Sequence, residues 1–524
     1  MKKFIISILI LSTTFMGCST DLDVNVEPDS LTPEETPLSS QLPAGIIGIV
    51  GAEGGIMSII GGFWAQYYTQ SSAANQFRNI DSYNVTTNDY NYAWNSMYDG
   101  LGDIKAVQRK ALAEGNWNYY LIATTLYVQG SHVLTDFYGD IPYTEGCNPK
   151  ILTPKFNTGE EVYELMIKDL NDALSKDLTT SKGLVPGKDD FIFGGNMANW
   201  KKFANTLKLK IYIRQSEKNK AVCDAGIAAL LADPTVSFLD TDAAQANFTG
   251  NAGSVNPNYE NPLFEFNYKL NVRTNMRISR TLGQFLNDNA DPRKDPFIYW
   301  SPTSTATKAY VFQDQGNYSA NPSLGYPAMG LTTSSQPAVN YQSSKTTSDP
   351  TTMIDASKIY DGAKKPVYLL SREESLFLQA EALERTGASG KAKYDAAIIE
   401  SFKKNNLTAA SATPFINGAY AYPSAGTFEQ KLEAIIVQKW VASFPENGFE
   451  AFFEKNRTDY PRTSTVAQNN AAYKGGQFAF TASPDVIVAN GTFPKRIPYP
   501  LSERNYNPNT PKLLDVTAKI WWNK

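Results

Sequence analysis

Asn199-Trp-Lys-Lys-Phe-Ala-Asn-Thr-Leu-Lys-Leu-Lys-Ile-Tyr-Ile-Arg214 is the stretch on which the fold class turns. Trp200, Phe203, Ala204, Leu207 and Ile211 recur at steps of three and four, so they share one face of a helix. The same period continues outward in both directions. Residues 89–113 place Tyr92, Trp94, Met97, Leu101, Ile104 and Val107 near helical spacing. Residues 117–134 are nearly all apolar or aromatic, which suits a helix buried on several sides. Thr158 and Glu161 form a capping-box pattern ahead of Val162, Leu165, Met166, Leu170 and Ala173, a helix over 158–176. Ser371 with Glu374 opens another, running to about Arg385. After a turn at 386–390, its partner carries Tyr394, Ala397, Ile398 and Phe402. Thr427 with Gln430 starts a third capped helix with Phe428, Leu432, Ile435, Ile436 and Trp440. Paired helices of this size are the unit of helical repeat arrays, although the strict tetratricopeptide consensus is not met. The chain is mainly α.

Between about 240 and 365, and again over 456–511, loop-like sequence takes over, the first stretch dominated by Asn, Pro, Ser, Thr, Gly and Tyr. Long irregular segments of this kind tend to be functional. With 48 basic and 52 acidic side chains the net charge is −4, which argues against a nucleic-acid binder. His132 is the one histidine among 524 residues. That excludes multi-histidine metal sites within the chain, and a Ser-His-Asp triad would have to use His132 itself.

The N-terminus points to export. Met1-Lys2-Lys3 is a short positive region, and Phe4 to Leu11 is an apolar run too short to span a bilayer. Gly17-Cys18 follows, and it resembles the lipobox of bacterial lipoproteins, in which the cysteine is acylated and becomes the first residue. The plain alternative is an ordinary signal peptide with a chance cysteine. Residues 18–44 then form a tether, acidic and rich in Pro, Ser and Thr. Asp21 and Asp23 resemble the surface-export signal of Bacteroidetes lipoproteins. The stretch 45–64, GIIGIVGAEGGIMSIIGGFW, has the length of a membrane span, but Glu53 near its middle opposes insertion. It reads as a buried helix whose glycines allow close packing. Export also leaves Cys147 and Cys223, which permit one disulfide or two buried thiols.

Several segments together resemble the SusD/RagB family of nutrient-binding outer-membrane lipoproteins. The stretch 199–214 is similar to that family's Trp…Ala-Asn-Thr-Leu-Lys-Leu-Arg helix. Asp136-Phe-Tyr-Gly-Asp-Ile-Pro-Tyr-Thr-Glu145 resembles the segment after its long second helix, and 369–382 a later repeat helix. Gln438-Lys-Trp-Val-Ala, Gly448-Phe-Glu-Ala-Phe-Phe-Glu-Lys-Asn-Arg457, Pro494-Lys-Arg-Ile-Pro-Tyr-Pro and Ser502-Glu resemble its closing helices and C-terminal motif.

The resemblance implies a SusD-like α-helical fold with four tetratricopeptide-like helix pairs and a large loop-rich ligand face. The domain plan is a signal peptide at 1–17, a lipidated tether at 18–44 with lipid (including palmitate) on Cys18, and one domain at 45–524. It implies an outer-membrane lipoprotein facing the cell exterior, acting as a lid on a SusC-like TonB-dependent β-barrel transporter. No bond is broken and no cofactor is implied. The ligand is an oligosaccharide, with an oligopeptide as the alternative. The candidate ligand residues are Gln76, Phe77, Arg78, Asn79, Tyr83 and Tyr90 on the loop at 69–90, with Tyr299, Trp300, Tyr310 and Tyr318 in mid-chain loops. Aromatic rings stack on the CH faces of sugars, and Arg, Asn and Gln pair with hydroxyls.

Other motifs weigh toward structure. Asp136, Asp140 and Glu145 offer the carboxylate pair of a glycoside hydrolase, a remote alternative, but Gly139 and Pro142 suggest a rigid turn with capping carboxylates. His132 sits in an apolar run, as a core histidine does. Trp94, Trp200 and Trp440 lie at core spacing, and Arg214 and Arg457 are expected to pair with buried carboxylates or helix ends. The Asp291-Pro and Asp295-Pro turns lack a spaced Asp-x-Asp-x-Asp loop, so no metal is expected.

Overall fold

The glycine-rich apolar stretch folds as two short helices joined by one wide turn. Helix α1 spans Leu38–Ala52 and α2 spans Ser58–Trp64, with a π-helical turn at Glu53–Met57. The turn breaks at Gly55, whose backbone sits at φ −96°, ψ −112°. In this computed structural model the described residues are 36–71, 75–246, 248, 260–266, 276–298, 312–317 and 364–524. The chain divides into two units, Met1–Pro37 and Leu38–Lys524, and every element below belongs to the second. Helix α1 therefore starts at Leu38, inside the stretch expected to be tether.

Length and hydropathy alone would let Leu38–Trp64 cross a membrane, yet 83% of its most apolar window is buried inside the protein. The glycines explain how. A Cβ on Gly48 would lie 2.5 Å from the Cα of Gly100, and one on Gly61 would lie 2.1 Å from the backbone N of Phe449. Backbone therefore meets backbone at both places. Glu53, the one charge of the stretch, is 1% exposed and both its oxygens accept from Gln129 Nε2 at 3.2 Å. Burial pushes its carboxyl up to about 8, so at neutral pH it is mostly uncharged.

Paired helices then build the scaffold. Asn91–Glu114 (α3) and Trp117–Tyr138 (α4) form the first pair, closed by Gly115 at φ 71° and by Asn116, whose side chain accepts from Tyr119 N–H. Gly159–Ser175 (α5) and Met197–Arg214 (α6) follow, with Lys220–Ala232 (α7) against α6. After Arg280–Asp288 (α8) come Arg372–Arg385 (α9), Lys391–Lys404 (α10), Ala409–Ile416 (α11), Phe428–Ala442 (α12) and Gly448–Thr458 (α13). Consecutive helices pack as α3/α4, α5/α6, α9/α10 and α12/α13. The expected helices appear in their expected places.

Two capping boxes form as the sequence suggests, Thr158 with Glu161 and Thr427 with Gln430. At the third, Ser371 accepts from Glu374 N–H, but the Glu374 side chain does not reach back. It lies 3.0 Å from Lys210 Nζ instead. Strands are few among the described residues. Tyr68–Gln70 (β1) pairs antiparallel with Met276–Ile278 (β3), and Ala243–Gln245 (β2) pairs antiparallel with Val367–Leu370 (β4).

A buried ionic network ties five helices together. Arg214 places Nε 3.0 Å from Asp136, Nη1 2.9 Å from Glu454 and Nη2 against Glu450. Lys210 and Lys439 approach Glu450 at 2.8 and 3.1 Å. Arg457 binds Glu381 through two 2.7 Å bonds and Glu454 at 2.5 Å. Burial alone would raise the pKa of Glu454, but Arg457, Lys439 and Arg214 hold it at about 2. Removing one partner would strand a buried charge at a cost of about 3–5 kcal/mol. Cys147 and Cys223 are both free thiols, raised by burial to about 12 and about 11.

The glycine contacts make a paired test. Gly61→Ala should lower stability by about 1–3 kcal/mol or more in urea unfolding, because the Phe449 backbone cannot yield. Gly51→Ala, where an added Cβ meets nothing within 4 Å, should be neutral or stabilising by up to about 1 kcal/mol. Equal losses at the two positions would contradict the backbone contact.

Candidate ligand face

Strand β1 carries the chain out of the core into the loop that the sequence marks for ligand. The loop is held at both ends by buried hydrogen bonds. Gln70 Oε1 accepts from Phe77 N–H at 2.8 Å, and Asp81 Oδ2 accepts from Gln70 N–H at 2.9 Å and Thr69 Oγ1 at 2.8 Å. A single helical turn, Arg78–Asp81, lies between these anchors. Asn79 Nδ2 donates to Asp89 Oδ1 at 3.1 Å, and Asp89 also accepts from Thr86 N–H and its hydroxyl. The surface of the loop is thereby braced from outside as well as from below.

The named candidates separate by burial. Gln76 and Asn79 are exposed, and Arg78 and Tyr90 are half-buried, so these four present groups at the surface. Phe77 and Tyr83 are each 1% exposed. Phe77 packs on Phe63 at 5.6 Å, and Tyr83, at φ 57°, turns its ring onto Phe480 and Phe493. Rings so enclosed support the loop and offer no face to a solute. Tyr299, Trp300, Tyr310 and Tyr318 lie outside the described residues, as does Cys18.

Two aromatic residues join the face without having been singled out for it. Tyr92, placed by the sequence in a helical stripe, is 41% exposed, with its ring 6.3 Å from that of Tyr90. Its other side faces Phe266, with nearly parallel rings 5.8 Å apart. Beyond Phe266 opens a cavity of about 420 Å³ whose walls include Ile47, Gly51, Ser96, Asp99 and Phe248. The available signal was position: Tyr92 stands in the first turn of α3, two residues after a candidate.

The carboxylates weighed for catalysis all have structural work. Asp136 is fully buried, bound to Arg214 and to the Tyr163 hydroxyl at 2.5 Å. Asp140 accepts from Gly159 N–H at 2.9 Å where α5 begins, and Glu145 accepts from Lys155 N–H at 2.8 Å. His132 is 1% exposed and 3.1 Å from the Tyr163 hydroxyl. Burial, with Arg214 and Lys210 nearby, pushes its pKa well below the usual imidazole range, so it stays neutral. Asp291, weighed for calcium, binds Arg293 at 2.7 Å and the Tyr420 hydroxyl at 2.7 Å. Among the described residues no cluster of three or more His, Cys, Asp or Glu could hold a metal ion.

Comparison with known proteins now bears on this face. A family profile named SusD-like and described as starch-binding, associating with outer membrane, matches residues 58–479. The fold is similar to a chitin-binding SusD homologue from Flavobacterium johnsoniae, at 20% identity and a TM-score of 0.67, covering 92% of this chain and 98% of that one. A SusD homologue from Bacteroides uniformis is similar at 20% identity and a TM-score of 0.67, covering 93% and 99%. A SusD/RagB family protein from Bacteroides thetaiotaomicron is similar at 18% identity and a TM-score of 0.67, also covering 93% and 99%. No curated protein sequence matches the chain.

Burial predicts how the loop residues divide. Phe77→Ala should cost about 3–5 kcal/mol in thermal or urea unfolding. Asn79→Ala, at the surface, should change stability by no more than about 0.5 kcal/mol. A small effect at Phe77 would show that its ring is not the anchor described above.

Proposed function

Because the chain belongs to the SusD/RagB family, we propose that it is a cell-surface lipoprotein that captures an oligosaccharide and passes it to a TonB-dependent β-barrel transporter. Family membership over 58–479 is the observation that carries this reading. The description of the family as starch-binding, and a full-length structural relative that is chitin-binding, support a glycan as ligand. The geometry of the face supports it too. Tyr90, Tyr92 and Phe266 follow one another ring to ring, and the Tyr90 hydroxyl lies 3.5 Å from Gln76 O, on the loop that also carries Arg78 and Asn79. That pairing of flat apolar rings with amide and guanidinium donors suits a sugar chain, which carries both CH faces and hydroxyls. The protein performs no chemistry on the ligand: it binds, holds and releases.

On this reading the chain is a signal peptide at 1–17, a tether from Cys18 and a binding domain beyond it. Lipid on Cys18 anchors it to the outer leaflet of the outer membrane, and the tether gives the domain reach to sit over the barrel.

Two experiments test the proposal. Titration calorimetry with maltoheptaose, chitohexaose and a panel of extended peptides should find a glycan binding. Arg78→Ala and Tyr92→Ala should each weaken it about tenfold, the scale of a lost charged hydrogen bond or ring contact, with thermal stability retained. Binding of peptides alone would replace the glycan, and no change in either variant would move the site off this face. In cells, Cys18→Ala should shift the protein from membranes to a soluble exported fraction, and gentle detergent extraction of the wild type should co-purify a β-barrel. Continued membrane attachment of the variant would sink the lipid anchor.

A further inference from the structure

Asp81 is fully buried, yet among the described residues no cation pairs with it. The nearby Asp314 is paired with Arg280, and the neutral Tyr83 packs on aromatic rings. A lone buried carboxylate is costly, and replacing it by an apolar group would be cheaper unless an acceptor were required. Here one is required three times. Thr69 Oγ1 and Gln70 N–H donate to Oδ2, and Gln315 Nε2 donates to Oδ1. Thr69 Oγ1 also accepts from Gly316 N–H at 2.9 Å, and Asp81 is the nearer of its two acceptors, with Asp314 O at 3.5 Å.

The three donors come from two separate parts of the chain, β1 and the segment 312–317. That segment is bound to β1 by further bonds around the same carboxylate. Gln315 Nε2 also donates to Tyr68 O at 3.0 Å, and Gln313 Nε2 donates to Gln70 O at 2.6 Å. Asp81 is itself the last residue of the turn that bears Arg78 and Asn79. One carboxylate therefore joins the candidate ligand loop, the strand it leaves from and a mid-chain segment more than two hundred residues away in sequence.

We propose that Asp81 is a positioning residue for ligand binding, whose carboxylate clamps the turn carrying Arg78 and Asn79 to β1 and to residues 312–317. It rests on the reading that this loop meets the ligand. Asp81 touches no solute. It sets where Arg78 and Asn79 stand and ties their turn to the 312–317 segment.

The test uses the full chain and two near-isosteric variants on opposite sides of the clamp. Asp81→Asn turns one acceptor oxygen into a donor facing donors, and Gln315→Met removes the donor while leaving Asp81 in place. Amide hydrogen exchange should rise about tenfold or more in both 75–90 and 312–317 in each variant, with α4 and α12 unchanged. The double variant should be no worse than the more affected single one, since both cut one linkage. Affinity for maltoheptaose or chitohexaose, whichever binds the wild type, should fall at least several-fold at temperatures far below unfolding. Exchange rising in one segment alone, or in neither, would overturn the clamp. Exchange rising in both with affinity untouched would overturn the positioning role. Should the wild type bind neither sugar, the glycan reading fails, and the exchange data still decide whether the clamp exists. If Asp81→Asn does not fold, Gln315→Met carries the same comparison.

Discussion

Arg214 is the point on which the scaffold depends. Its guanidinium is fully buried, so its charge must be met inside the protein, and three carboxylates from α4 and α13 meet it. Those carboxylates are in turn shared with Lys210, Lys439 and Arg457, which draw in α6 and α12, while Glu374 and Glu381 bring in α9. Each of these four cations meets at least two of the five carboxylates, so no member can leave without exposing another. A hydrophobic core would tolerate sliding between helices. This network does not, because its bonds have fixed directions as well as fixed partners. The helix pairs are consequently held in one register, and the loops they carry inherit that precision.

The scaffold was legible in the sequence because its signals are local. Period, capping residues and turn glycines act within a few positions, and they marked the helix at 159–175, and the start of the one at 428–442, almost to the residue. Where they failed, a distant partner had intervened. Glu374 has the spacing of a capping-box residue, but Lys210 claims it from another helix. Glu53 argued against a membrane span by its charge, whereas in the fold it is buried, mostly uncharged and bound to Gln129.

The candidate ligand face was legible only in outline. Gln76, Arg78, Asn79 and Tyr90 do reach the surface, but nothing local distinguishes them from Phe77 and Tyr83, which do not. The direction of the Tyr83 ring follows from a left-handed backbone and from Phe480 and Phe493, far along the chain. Tyr92 shows the converse. It matches a helical stripe, yet it lies at the end of the helix where the stripe runs out of core to cover it. Burial of a single side chain is a tertiary property, and periodicity reports it only where a helix is flanked along its whole length.

The close contact of α2 with the start of α13 also dictates an order of events. Ser58 Oγ donates to Glu446 O at 2.5 Å across 388 positions of sequence, and the atoms that a Cβ on Gly61 would meet first all belong to Phe449. Helix α2 must therefore wait for nearly the last helix before this face can be buried, whereas α1 already packs on α3. Loop closure over such a span is slow, and until it happens the Gly61 face of α2 stays in contact with solvent. A polypeptide whose core lacks its last wall stays open until its C-terminal helices arrive, and only then acquires its final shape.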